Sequence, residues 1–190
     1  MDTNSSISFL QSFSPNETAN FSNRDINQLS DIQLSNISSI LQTYRYLNLS
    51  KNKITTIDPN FFKQFPDVSY LNIAEYKITK IQGLEFLQQL KFLDISNNQV
   101  DVIESIEICS ETLERIIACQ NKIHSIFIRA PMNKLDFIDV RDNQIDKLSF
   151  GKLTPRLRTL KIDNNLLISI SELSDFNELE VFSASKNQIL

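Results

Sequence analysis

The chain repeats itself. The segment YRYLNLSKNKITTI, Tyr44 to Ile57, carries apolar residues at Tyr44, Leu47, Leu49, Ile54 and Ile57, with Asn52 among them. Stepping along by 22 to 24 residues brings the same template back at Val68, Leu90, Leu113, Leu135, Leu157 and Leu179. The asparagine slot reads Asn52, Tyr76, Asn98, Asn121, Asn143, Asn165 and Asn187, and every apolar slot stays apolar until the chain stops. In a chain that is 41% hydrophobic, five such slots match by chance about 1% of the time per repeat. Seven copies in register therefore constrain the architecture more than any other feature. No single unit of this kind can bury its own apolar face, so stability comes from its neighbours.

Each copy predicts its own local structure. In LNL or LDI two apolar residues flank a polar one, the period of a short strand. Leu93 and Ile95 point inward and Asp94 outward. The asparagine then turns the chain, its amide bonding backbone groups that have left the strand. Stacked copies predict a structural ladder of Asn52, Asn98, Asn121, Asn143, Asn165 and Asn187. On the opposite side Ile78, Ile81, Leu84, Leu87 and Leu90 recur every three residues, the spacing of a buried helical or 3-10 stripe. Two copies depart from the pattern. Tyr76 cannot reproduce the amide's bonds, so a local distortion is expected there, with the ring pushed outward. Ala118 replaces Leu or Ile and leaves room for Ile117 or a neighbour.

From Tyr44 to Leu190 the template resembles L-x-x-L-x-L-x-x-N-x-L, the signature of the leucine-rich repeat superfamily. The spacer ITKIQGLEFLQQLKFLDISNNQV is similar to the 22-residue class. That class includes a regulatory subunit of protein phosphatase-one, tubulin-folding cofactors, axonemal proteins, a spliceosomal subunit and bacterial internalins. The resemblance implies an α/β solenoid: a right-handed horseshoe with a parallel concave sheet and short helical or irregular convex segments. It implies a protein partner without choosing one, a phosphatase catalytic subunit being one that the class suggests.

Residues 1–20, rich in Ser, Asn and Thr, read as a flexible tail. Residues 21–43 read as a degenerate capping repeat: Phe21, Ile26, Leu34 and Ile37 align with Leu90, Ile95, Ile103 and Ile106, and Leu29 takes the asparagine's place. Residues 44–190 are the seven repeats, the last incomplete. An apolar stack left open after Leu190 leads us to expect a longer protein.

Composition removes several functions. The net charge is −4 with both signs interspersed, so nothing draws a nucleic-acid backbone directly. Gly83 and Gly151 are the only glycines, too few for a phosphate-cradling loop, and no nucleotide or other cofactor is expected. The N-terminus MDTNSSISFLQSFS lacks a basic start, no apolar run is long enough to span a membrane, and Cys109 and Cys119 stand alone. These features point to the cytoplasm or nucleus. The sequons at Asn4, Asn16, Asn20, Asn36 and Asn48 then read as chance. His124 has no identifiable nucleophile or orienting partner, the spacing of Cys109, Cys119 and His124 is not that of a zinc site, and Asp139 to Asp146 lacks the glycine of a calcium loop. No catalytic or metal residue is expected.

The outward strand positions form three rows, adjacent parallel strands lying about 4.8 Å apart. The first row reads Tyr46, Tyr70, Phe92, Arg115, Phe137, Thr159 and Val181; the second Asn48, Asn72, Asp94, Ile117, Asp139, Lys161 and Ser183; the third Ser50, Ala74, Ser96, Cys119, Arg141, Asp163 and Ser185. Aromatic residues and arginine are what interface hot spots use, and solvent-facing strand positions have no folding reason to be aromatic. Arg115 lies between Phe92 and Phe137, able to stack on either ring. The polar second row would favour a basic edge of the partner. The reading is a non-catalytic protein-binding module, a regulatory or scaffolding subunit whose concave face runs from Tyr46 to Arg141. An exported internalin-like adhesin and the sensor part of a larger enzyme continuing past Leu190 are the alternatives.

Overall fold

The computed structural model describes residues 14–32, 34 and 40–190. Eight three-residue strands form one parallel sheet: β1 (Thr18–Asn20), β2 (Tyr46–Asn48), β3 (Tyr70–Asn72), β4 (Phe92–Asp94), β6 (Arg115–Ile117), β8 (Phe137–Asp139), β9 (Thr159–Lys161) and β10 (Val181–Ser183). Neighbours pair without a register slip, Tyr46 opposite Tyr70, Tyr70 opposite Phe92, Phe92 opposite Arg115 and Arg115 opposite Phe137. The middle residue of each strand faces the core, and Leu47, Leu71, Leu93, Ile116, Ile138 and Leu160 are all buried. The register holds because a slip of one residue would turn that column out to solvent. A second pair, β5 (Val102–Ile103) and β7 (Ser125–Ile126), links two repeats outside the main sheet. The architecture is a leucine-rich repeat solenoid, a right-handed α/β horseshoe in which each strand feeds a crossover back to a parallel neighbour.

The return segments are 3-10 turns such as Pro59–Gln64, Leu84–Phe86, Ile106–Cys109, Gly151–Leu153 and Ser171–Asp175, with no α-helix among the described residues. A 22-residue unit leaves too few residues for an α-helix, and the i, i+3 spacing of the apolar residues suits the tighter turn. Asp58 caps the longest of these, accepting from Asn60 N–H, with Pro59 at the first position. Packing against it requires Gly83, at φ +85°, where a Cβ would sit 2.7 Å from Phe62 Cδ2. Seven turns place a non-glycine residue in the left-handed region immediately before the ladder position: Lys51, Glu75, Asn97, Gln120, Asp142, Asn164 and Lys186.

The amides of the ladder are buried or half-buried and each bonds across repeats. Asn98 Nδ2 donates to the carbonyls of Ile73 (2.9 Å), Ile95 (3.0 Å) and Ser96 (3.2 Å), and its Oδ1 accepts from Ile78 N–H. Asn52, Asn121, Asn143, Asn165 and Asn187 repeat the arrangement. Ala118 is fully buried, while Ile117 stays half-buried on the other face.

Three expectations change. The sheet begins inside the supposed tail: Ser14 caps a 3-10 turn at Pro15–Glu17, and β1 pairs with β2. Only residues 1–13 of that segment lie outside the described residues, as do Ile37 and the sequons at Asn4 and Asn36. The cap is also out of the expected register. Thr18 pairs with Tyr46, so Phe21 corresponds to Leu49 and Arg24, not Leu29, takes the ladder position. Asn52 Oδ1 accepts from both Arg24 N–H and Ile26 N–H, whereas Leu29 enters the core from its own 3-10 turn. Finally, Tyr76 is not pushed outward. Although it occupies the asparagine slot, its ring packs into the core, where burial takes its faces out of water, and its hydroxyl lies 3.5 Å from Asn52 Nδ2.

Candidate functional site

The concave rows are where β-sheet alternation puts them, opposite the core column, but their chemistry is not the open one expected. In the first row the rings pack on each other. Tyr46 meets Tyr70 edge-on at 4.6 Å between centroids, and Tyr70 stacks on Phe92 at 4.2 Å with 9° between planes. Tyr70 and Phe92 are each 2% exposed, which corrects the expectation of solvent-facing rings. Strands one hydrogen bond apart force neighbouring rings within van der Waals reach, and stacking takes their faces out of water. Burial accordingly raises the phenol pKa of Tyr70 far above its ordinary value, and that of Tyr46 in the same direction.

Past Phe92 the row changes character. Arg115 lies over Phe137 at 5.6 Å, and its Nε is 3.8 Å from Asp136. Lys161, from the second row, also lies 5.6 Å above Phe137. Phe137 is half-buried with a cation on either side, a flat surface of the kind that binds aromatic or guanidinium groups.

The second row is tied to its own backbone. Asn48 Oδ1 accepts from Ser50 N–H, Asn72 Oδ1 from Ala74 N–H and Asp94 Oδ1 from Ser96 N–H, at 2.9 to 3.0 Å. An oxygen at position i with an N–H at i+2 is a local turn device, so part of this polarity serves the strand ends. Asp139 is buried and held by Arg141 through two bonds, 2.8 Å from Nε and 2.7 Å from the terminal nitrogen. Cys119 donates its thiol to the same carboxylate at 3.0 Å. Burial and then the Asp139 charge push that thiol up to about 12. Burial and then Glu85 push Cys109 up to about 11. Neither is a nucleophile at neutral pH. Among the described residues Asp94 forms no ion pair with a cation. Burial raises its pKa, and the charges of Asp139 and Glu75 add to the effect.

Sequence reading named Asp139 and Arg141 singly and missed the cluster they form with Cys119. The signal was present: positions two and three of one strand share a face, and position three of the adjacent repeat lies diagonal to position two. His124 is exposed in the irregular segment just before β7. Among the described residues no group of three His, Cys, Asp or Glu side chains could hold a metal ion. No helix there is long and apolar enough to cross a membrane.

Comparison with known proteins agrees with this geometry. Residues 42–100 match the family model described as leucine rich repeat. Lumican of Homo sapiens is 28% identical over 191 aligned residues, covering 84% of this chain and 55% of lumican. An Arabidopsis thaliana homologue of a protein phosphatase 1 regulatory inhibitor subunit is 23% identical, covering 55% of this chain and 33% of that protein. Among solved structures, an internalin of Listeria monocytogenes superposes with a TM-score of 0.71 at 23% identity, over 88% of this chain and 46% of the internalin. A leucine-rich repeat protein of Leptospira interrogans gives 0.73 at 22% identity, over 90% and 43%. The chain thus spans about half the length of lumican and the internalin.

Proposed function

Because the chain belongs to the leucine-rich repeat proteins, we infer that it is a non-catalytic module whose concave face binds a protein partner. The observation that carries this reading is the half of the first row that remains accessible: Phe137, half-buried between Arg115 and Lys161 at 5.6 Å each. A ring flanked by cations, in mid-sheet, has the composition of an interface hot spot and no role in the core. The proposed face comprises Tyr46, Asn48, Tyr70, Asn72, Phe92, Asp94, Arg115, Ile117, Phe137, Asp139 and Arg141. The stacked rings Tyr46, Tyr70 and Phe92 stiffen it, so the surface is organised before a partner arrives. A regulatory or scaffolding role in the cytoplasm or nucleus suits two thiols that are both free, and a phosphatase catalytic subunit is one partner the family offers.

Affinity capture with the 190-residue chain as bait tests this. Phe137→Ala and Arg115→Ala should each weaken capture by about 2 kcal/mol while leaving the melting temperature near that of the parent. Undiminished capture by both variants would remove the concave face from the proposal. The exposed sequons at Asn16 and Asn20 favour a second reading, an exported adhesin, and a mass loss on enzymatic deglycosylation would select it.

A further inference from the structure

Among the described residues one pattern of bonding between repeats is interrupted once. In six places the N–H two residues beyond a ladder position, that of Ile26, Ile78, Val100, Ile123, Ile145 or Leu167, donates to the asparagine Oδ1 of the next repeat. The carbonyl of the same residue accepts the N–H that follows that asparagine. Between the repeats of Asn52 and Tyr76 both bonds are missing among the described residues. The main-chain N–H of Ile54, a residue 1% exposed, has no acceptor, and the N–H of Lys77 does not reach the Ile54 carbonyl. A cleft of about 440 Å³ opens at this place, between Asn52–Thr55 on one side and Glu75–Lys77 on the other.

Several donors around it lack acceptors among the described residues. Tyr76 accepts weakly from Asn52 Nδ2, and its own proton has no acceptor among the described residues. Burial raises its pKa, so the phenol stays protonated. Lys53 is paired with Asp25 at 3.1 Å, and Glu75 with Lys51 at 3.6 Å, but Lys77 pairs with no carboxylate among the described residues. Two main-chain N–H groups, a phenol O–H and an ammonium therefore border the cleft, and the one carboxylate in its lining, that of Glu75, is already paired with Lys51. A buried donor without a partner is costly, and water, which brings two donors of its own, matches this set less well than a group that only accepts.

We propose that the cleft beside Tyr76 is a binding site for a carboxylate, whose oxygens take the Ile54 N–H and Tyr76 O–H while Lys77 supplies the charge. It lies beyond the ends of β2 and β3, apart from the aromatic row, and stands whether or not the concave face binds a partner.

The test is amide NMR of the 15N-labelled 190-residue chain. Sodium acetate, a short acidic peptide with blocked ends, acetamide and sodium chloride at matched ionic strength are the probes. Acetate should shift the Ile54 and Lys77 amides saturably, with Val100 and Ile123 unmoved, and chloride and acetamide should not. Tighter binding of the peptide identifies a partner's acidic side chain as the source of the carboxylate; equal or weaker binding identifies a free small carboxylate. Tyr76→Asn rebuilds the ladder and should abolish the shift in a chain that melts no lower than the parent. Lys77→Met should weaken binding about fivefold. The proposal fails if neither acetate nor the peptide gives a saturable shift, the cleft then holding water only. It also fails if chloride or acetamide reproduces the shift, or if either variant binds like the parent.

Discussion

Asn143 occupies the middle of the ladder, and replacing it with alanine has a cost that can be apportioned atom by atom. Its Oδ1 accepts from Ile123 N–H at 2.9 Å, and its Nδ2 donates to the carbonyls of Ala118 (2.9 Å), Val140 (3.0 Å) and Arg141 (3.1 Å). These losses are unequal. The Ala118 carbonyl keeps Asn121 Nδ2 at 3.2 Å, and the Val140 carbonyl keeps Asn165 Nδ2 at 2.9 Å. The N–H of Ile123, a residue with no exposed surface, keeps nothing. One orphaned buried donor costs about 1–3 kcal/mol, and the space left by the amide adds roughly 1 kcal/mol. Asn143→Ala should therefore destabilise by about 2–4 kcal/mol, lowering the melting temperature by roughly 4–16 °C for a chain of this size. Urea unfolding followed by circular dichroism measures the total. Hydrogen exchange at Ile123 reads the local loss, which matters because repeat arrays do not always unfold as one unit. A variant with the parent's midpoint and an equally protected Ile123 amide would refute the reasoning.

Asp94→Asn should act in the opposite direction. Asparagine keeps the acceptor for Ser96 N–H, as Asn48 and Asn72 do in their strands, and removes a carboxylate that pairs with no cation among the described residues. Burial raises the folded pKa of Asp94, so the native chain holds that proton to higher pH than the unfolded chain. The parent then loses stability as pH rises through the folded pKa. The variant should melt higher than the parent at neutral pH and equally below the ordinary aspartate range; identical curves at neutral pH would contradict this. Native Cys119 and Cys109, held at about 12 and about 11, should resist a thiol-specific disulfide reagent at pH 8 until denaturant is added. Removing the Asp139 carboxylate by Asp139→Ala should speed the reaction of Cys119 and leave that of Cys109 unchanged, and a fast native reaction in the parent would show the thiol to be accessible and ionised.

Much of this protein was legible before any coordinates. Each repeat tells its residues which way to face, because alternation over Leu47, Leu49 and the turn at Asn52 is local, and seven local statements agree. That agreement carried the strand positions, the core column, the ladder and the candidate rows on the concave face. The first repeat was misread because its ladder position holds Arg24, and only the pairing of Thr18 with Tyr46 sets its register. Three properties of the site depended at least in part on a residue of the adjacent repeat, twenty or more positions away. Tyr70 and Phe92 look solvent-facing in a strand taken alone, and stacking across strands buries them. Asp139 looks like a free surface charge until Arg141 and Cys119 converge on it. Tyr76 announced that an amide was missing, but where the ring would go was decided by the space between two stacked repeats. Facing is a property of one strand and can be read along the chain; burial, pairing and unsatisfied bonds are properties of two, and exist only once the repeats are stacked.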